Sequence, residues 1–318
     1  MKDGYRLRMP SPPTTFTLPK DGQTYHTEII DRCTELINFN IWGGLHLSRL
    51  RSWVTNFRTD EEKYFAACIL DNLIYRSKEQ TVTLIEQLFQ RVIPDLTRLD
   101  STPIGVLEHC LADLKNEHGD PGLRLVTAVK QNDAPTKSAH EIARFMKRHL
   151  SIRERWIIKP WEIASHLQHG IKVFIFIDDF LGTGEQFKEL LNVERIDAAM
   201  LANIYAVYAP LASHEVGVDE LASEFPGLRV KSVESLTKNY GVFHPDSHCF
   251  ADGVNTPELA KQFYYDLLKK KNIGIEGADR RGFGHLELTY AFEHATPDNS
   301  LPILWWAHST EWTPLFDR

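Results

Sequence analysis

Cysteine is scarce in this chain of 318 residues: only Cys33, Cys68, Cys110 and Cys249 are present, and no two have C-x-x-C spacing. That excludes a disulfide framework and a zinc ribbon, so reduced cytoplasmic thiols are expected. Long apolar runs are also missing. The N-terminus reads MKDGYRLRMPSPPTTF, with no apolar stretch of signal-peptide length, and the longest strongly apolar run is Val173 to Ile177. Five residues are far too few to span a bilayer, and no membrane association is expected. Positive charge is not in excess, because 36 Lys and Arg stand against 43 Asp and Glu, a formal charge of −7. No global basic field can hold nucleic acid by phosphate neutralisation, although a local patch remains open. Internal repeats and low-complexity tracts are absent. What remains is an ordinary globular composition, 42% hydrophobic and 25% charged, which rules out a disordered chain. The length favours two domains, with one large α/β domain as the alternative.

Pro10, Pro12, Pro13 and Pro19 mark an extended lead-in. Helical spacing follows. Leu47, Leu50, Trp53, Val54 and Phe57 form one apolar stripe, and Tyr64, Phe65, Cys68, Ile69, Leu73 and Ile74 form a second, both read as core packing. Thr59 and Ser77 are expected N-caps, Ser77 and Gln80 have the spacing of a capping box, and Pro94 is expected to stop that helix near Val92. After Gly119-Asp120-Pro121-Gly122 the pattern changes, so residues 1–118 are expected to be an all-helical N-terminal domain and 119–318 an α/β domain. Strands are expected at 123–129, 173–177, 203–208, 228–233 and 286–292, and helices at 139–150, 185–191 and 257–270. This alternation implies a mainly parallel, doubly wound sheet covered on both faces.

The chemistry is concentrated in Val173-Phe-Ile-Phe-Ile177-Asp178-Asp179-Phe-Leu181-Gly182-Thr183-Gly184. An apolar strand buried on both faces would bring two carboxylates out at its carboxyl end, where open α/β sheets bind ligands. The small-residue turn that follows lets backbone N–H groups approach an anion at a helix N-terminus, with the Thr183 hydroxyl as a further donor. A phosphate fits that turn, and sugar hydroxyls can donate to the carboxylates. The combined reading is a ribose 5-phosphate site.

The same residues resemble the phosphoribosyl pyrophosphate (PRPP) motif of type I phosphoribosyltransferases: an apolar strand, two acids and a small-residue loop ending in Thr-Gly. Ala134-Pro-Thr-Lys137-Ser138-Ala139 lies where that family keeps its pyrophosphate loop, although Lys137-Ser138-Ala139 replaces the usual glycine-rich pair. The helical N-terminus, the Asp-Asp-Phe-Leu-Gly-Thr-Gly form and the ending Phe292-Glu-His294-Ala-Thr-Pro297-Asp-Asn299-Ser-Leu-Pro302-Ile-Leu-Trp305 are similar to the PRTase-CE branch, which is associated with bacterial conflict systems including retron-type anti-phage modules. The resemblance implies that Asp178 and Asp179 take the ribose hydroxyls, Leu181, Gly182, Thr183 and Gly184 the 5-phosphate, and Lys137 and Ser138 the pyrophosphate. It also implies Mg²⁺ carried by the pyrophosphate, near Asp178 and Asp179. A protein or nucleoprotein partner, such as a retron-type reverse transcriptase complex, would dock on the helical N-terminus, and a homo-oligomer is compatible with the branch.

Other readings compete. Thr136-Lys137-Ser138 superficially matches the end of a P-loop, but Gln131 and Thr136 occupy its glycine positions and Pro135 removes an N–H. A non-catalytic protein with a vestigial site and a nucleobase salvage enzyme are the alternatives in function. His244-Pro-Asp246-Ser-His248-Cys249 holds four possible metal ligands without a metal-site spacing and reads as a polar turn. Arg280 and Arg281, flanked by Gly282 and Gly284, read equally as a phosphate clasp or a solvated loop, and His294 and Trp305 read as structural.

Overall fold

The computed structural model describes residues 14–99, 105–134, 137–274, 277–307 and 311–317. Pro10, Pro12 and Pro13 of the lead-in lie outside the described residues. The first elements are α1 (Gly22–Asn38), α2 (Leu47–Val54), α3 (Asp60–Asp71), β1 (Ile74–Arg76), α4 (Lys78–Gln87), α5 (Ile93–Leu99), α6 (Gly105–Glu108) and α7 (Cys110–Lys115). Thr59 caps α3 by accepting the Glu62 N–H. Ser77 and Gln80 form the reciprocal capping box of α4, with Gln80 N–H donating to Ser77 Oγ and Ser77 N–H to Gln80 Oε1. Pro94 does not stop the helix: a π-helical turn over Leu88–Val92 leads into α5, where Pro94 is the second residue. A missing N–H costs least at the start of a helical segment, and the wider turn before it makes room for the ring. The stretch expected to be all helical thus contains one strand, β1.

The second set is β2 (Leu123–Thr127), α8 (Ser138–Leu150), β3 (Ile157–Ile158), α9 (Ile163–Gln168), β4 (Val173–Leu181), α10 (Glu185–Val193), α11 (Ala198–Ala202), β5 (Tyr205–His214), α12 (Glu215–Glu224), β6 (Leu228–Val230), β7 (Glu234–Leu236), α13 (Pro257–Lys270) and β8 (Tyr290–Phe292). The sheet runs β3-β2-β4-β5-β6 with β7 on the far end of β5, and every pairing is parallel. β4 continues past Ile177 through both aspartates to Leu181, because β5 extends to His214 and supplies partners as far as Ser213. The run 228–233 is extended only over β6. The run 286–292 is a strand only at β8, which pairs with β1 in a separate two-stranded sheet.

Side chains alternate along β4. Val173, Ile175 and Ile177 pack in one cluster with Ile142, Phe145 and Met146 of α8, whereas Phe174 and Phe176 pack in another with Phe187, Leu190 and Leu191 of α10. The helices that follow β2 and β4 therefore cover opposite faces. From β2 the chain moves outward to β3, returns past β2 to β4, and then builds the other half, so the winding reverses between β2 and β4.

Helices α1, α2 and α3 share a third apolar cluster with α13 and the C-terminal segment, whereas α4, α5 and α7 pack in the cluster of β2, β4 and α8. Trp53 Nε1 donates to the Ile303 carbonyl at 2.8 Å, and the Phe65 ring lies 5.1 Å from Phe250. The small sheet is fastened to the large one by Arg76, which reaches both carboxylate oxygens of Glu234, and by the Tyr290 hydroxyl, which donates to Glu234 at 2.8 Å. Among the described residues, no helix is long and apolar enough to cross a membrane.

The position of β4 can be tested at Phe176, which is fully buried and meets Phe187 edge-on at 5.3 Å. Phe176→Ala should cost about 3–5 kcal/mol of folding stability in denaturant titration. A loss below about 1 kcal/mol would be incompatible with a central strand covered on both faces.

Candidate functional site

At the carboxyl edge of the sheet, the segments leaving β2 and β4 diverge to opposite faces, which opens a crevice between them. A cavity of about 290 Å³ lies there. Lys137 and Ser138 at the start of α8 form one wall, and Leu181, Gly182, Thr183 and Gly184 at the start of α10 form another. Asp179 lies between them, with residues 295–299 and Phe283 above. Two helix N-termini thus aim their unpaired N–H groups at one space, as suits a ligand with an anionic group at each end. Pro135 and Thr136, in the middle of the expected pyrophosphate loop, lie outside the described residues.

Because β4 continues through the acids, its alternation sends Asp178 and Asp179 to opposite faces. Asp179 borders the cavity. Its Oδ2 is 3.2 Å from His294 Nε2, and its Oδ1 accepts the Phe180 N–H at 2.9 Å. Asp178 instead faces a small cleft beside Lys130 and Gln186 and accepts the Tyr208 hydroxyl at 2.9 Å. Burial first, and then the neighbouring Asp179 charge, push the Asp178 carboxyl well above the ordinary carboxylate range. Burial also acts to raise Asp179, but the His294 hydrogen bond and charge, with a Ser138 hydrogen bond, hold it below its ordinary value. The two carboxyls are thus pushed in opposite directions, which favours the negative charge on Asp179, the acid that faces the cavity.

The roof is built from glycines. A Cβ on Gly182 would collide with the Asn299 side chain. Gly282 (φ +78°) and Gly284 (φ +68°) are left-handed, and a Cβ on them would meet the Asn299 carbonyl and the Thr183 methyl respectively. Between them Phe283 is pinned at both backbone groups: its N–H donates to Asp298 O at 2.7 Å, and its carbonyl accepts Asn299 Nδ2 at 2.9 Å. The flanking arginines do not clasp the cavity. Arg281 pairs with Glu287 and His285, and the Arg280 carbonyl accepts the Tyr264 hydroxyl.

Sequence reasoning assigned His294 to structure, but its ring supports Asp179 directly. The ring sits between Phe145 and Phe292, and its Nδ1 is buried without a partner. Tyr208, Asn299 and Thr296 were also missed as site residues, since each reaches the cavity region through tertiary folding and carries no local motif. Trp305 does hold structure, donating Nε1–H to Ser300 O at 2.9 Å. His244 accepts the Asp246 N–H within a turn, and the Cys249 thiol donates to Cys68 O, away from this cavity. Among the described residues no three His, Cys, Asp or Glu side chains converge as a metal cage. The cavity does present oxygen donors on Asp179, Ser138 and Thr183, the hard set that Mg²⁺ accepts when ligand phosphates complete its shell.

A family model described as PRTase-CE matches residues 50–318. No curated protein matches the chain.

Two measurements test this geometry. Gly253 and Gly284 are both left-handed, but only Gly284 is packed, against Thr183. Gly253→Ala should cost about 1–2 kcal/mol for its backbone alone, whereas Gly284→Ala should cost a further 1–3 kcal/mol, roughly, for displacing the wall. Equal losses in denaturant titration would show that the turn does not press on Thr183. The second measurement concerns pH. Asp178 has a folded pKa above its ordinary 3.8, so its contribution is fully present below that value and is lost as pH rises toward the folded pKa. Asp178→Asn removes this loss, and its melting temperature relative to wild type should rise between about pH 4 and pH 7. A flat or falling difference contradicts the assignment of the proton to Asp178.

Proposed function

The chain belongs to the PRTase-CE family, a phosphoribosyltransferase-like group, and we propose that its cavity binds PRPP or a related ribose 5-phosphate ligand for phosphoribosyl transfer. The carrying observation is that the starts of two helices, α8 and α10, border one cavity on either side of Asp179. The turn at Leu181–Gly184 takes the 5-phosphate at α10, and Lys137 with Ser138 takes the pyrophosphate at α8. Asp179, ionised and fixed by His294, accepts hydrogen bonds from ribose hydroxyls. Asp178 stands behind it, neutral and bonded to Tyr208.

In the reaction the bond from ribose C1 to the pyrophosphate oxygen breaks, the pyrophosphate leaves with the electron pair, and the acceptor forms the new bond to C1. No protein nucleophile is needed. Lys137 and the α8 N-terminus sit where charge grows on the leaving group, and the roof over Thr183 limits water around C1. Mg²⁺ bound to the pyrophosphate beside Asp179 would neutralise part of that charge. An effector role in anti-phage defence, restrained by a protein or nucleoprotein partner, completes the proposal and is supported by the family resemblance.

Calorimetry tests the site. PRPP and ribose 5-phosphate should bind at or below millimolar concentration. Asp179→Asn should weaken PRPP at least about tenfold, and Thr183→Val should weaken it by the worth of one hydrogen bond to a charged group, about 1.5–3 kcal/mol. Failure of both sugar phosphates to bind at millimolar concentration, with a nucleoside triphosphate binding instead, would replace this reading with that of a P-loop-like nucleotide site. In infected cells the Asp178→Asn, Asp179→Asn double variant should lose protection while keeping its circular dichroism spectrum. Retained protection would identify a scaffold.

A further inference from the structure

A second cavity, about 580 Å³, opens between the start of α1, the C-terminal end of α3 and the segment 248–254. It shares no lining residue with the sugar-phosphate cavity. Two of its walls are the rings of Tyr25 and Tyr64, tilted at 56° with centroids 5.6 Å apart. Each phenol is anchored to a carboxylate: Tyr25 donates to Asp71 at 2.8 Å, and Tyr64 donates to Asp252 at 2.7 Å. We propose that this cavity is a ligand site for an organic cation with an apolar or flat body.

Charge decides the sign of the ligand. Asp21, Asp71 and Asp252 line the cavity against one permanent cation, Lys20, and one histidine, His248. Asp71 pairs with the half-exposed Arg32, but the four donors recorded on Asp252 are all neutral: the Val254 and Asn255 N–H groups, Asn255 Nδ2 and the Tyr64 hydroxyl. Although burial opposes its charge, these hydrogen bonds hold Asp252 below the usual carboxylate range, so it is ionised. The buried thiols and phenols of the lining add no charge of their own. Burial raises the Cys68 thiol to about 12 and the Cys249 thiol well above its ordinary value, and it raises both tyrosines, so the thiols and phenols stay uncharged. An anion would meet repulsion. Among the described residues no three ligands converge for a bare metal ion. A cation held over tyrosine faces gains from the ring quadrupoles as well as from the carboxylates, and the volume suits a small organic molecule.

Benzamidine and benzoate, which share a shape and differ in charge, are the probes, titrated into the full chain by calorimetry at low salt. Benzamidine should bind at least about tenfold tighter than benzoate and weaken as salt is raised. Asp252→Asn should reduce benzamidine affinity at least about fivefold. Asp21→Lys, at an exposed position that cannot disturb packing, should also weaken it and decides the matter if Asp252→Asn fails to fold. Equal binding of the two probes, no benzamidine binding up to about 10 mM, or unchanged affinity in Asp21→Lys and in a folded Asp252→Asn would overturn the proposal.

Discussion

Two carboxylates on consecutive residues of a buried parallel strand cannot both be ionised at neutral pH without a large electrostatic cost, and the site is organised around that constraint. β4 does not end before Asp178; it carries both acids into the sheet, where β5 pairs with Asp178 and again with Phe180 and Leu181. Alternation separates their side chains. Each face then supplies a different partner: a buried phenol, Tyr208, for Asp178, whose carboxyl is pushed up, and an imidazole, His294, for Asp179, whose carboxyl is held low. Raising Asp178 lowers the negative charge at a crevice bordered by two helix N-termini, which supply positive potential for anionic groups.

That arrangement explains why the roof is assembled from residues distant in sequence. His294 follows β8, and the segment 295–299 follows His294, so placing the imidazole on Asp179 also brings Asn299 over Gly182. Asn299 then holds Phe283, and Gly284 settles on the Thr183 methyl. The contacts are too close for any side chain at these glycines, so the Leu181–Gly184 turn, the Gly282–Gly284 turn and the 295–299 segment are mutually fixed.

The motif was legible because its chemistry is local. An apolar run, two acids and Gly-Thr-Gly are contiguous, and the β4–turn–α10 unit folds from neighbours in sequence. The parallel sheet was legible from the alternation of apolar runs with helical stripes. Strand ends were not, since the extension of β4 depends on the length of β5, more than twenty residues away. For the same reason His294 could not be assigned from its flanking residues. Its function lies in a 115-residue separation from Asp179, and a histidine between aromatic residues reads as packing. Arg280 and Arg281 beside glycines read equally as a phosphate clasp or a loop; in the fold Glu287 and His285 engage Arg281, and the adjoining glycines do the work of close approach.

The N-terminal helices have a structural connection to this chemistry. Asp71, on the wall of the second cavity, ends α3, and the next residue, Asn72, exchanges hydrogen bonds with Thr289. β1 then runs parallel to β8, registering Ile74 with Tyr290 and Arg76 with Phe292, and the Glu293 N–H continues the ladder by donating to Arg76 O. The following residue is His294. Three residues of β1, an Arg76–Glu234–Tyr290 cluster and the Asn72–Thr289 pair are therefore what hold the segment that delivers the imidazole to Asp179. A two-stranded sheet is marginal by itself and needs packing on both sides to persist. The apolar cluster shared by α1, α2, α3 and α13 supplies one side, and the main sheet supplies the other. The charge state of the acid pair thus depends on helices that contribute no residue to its cavity.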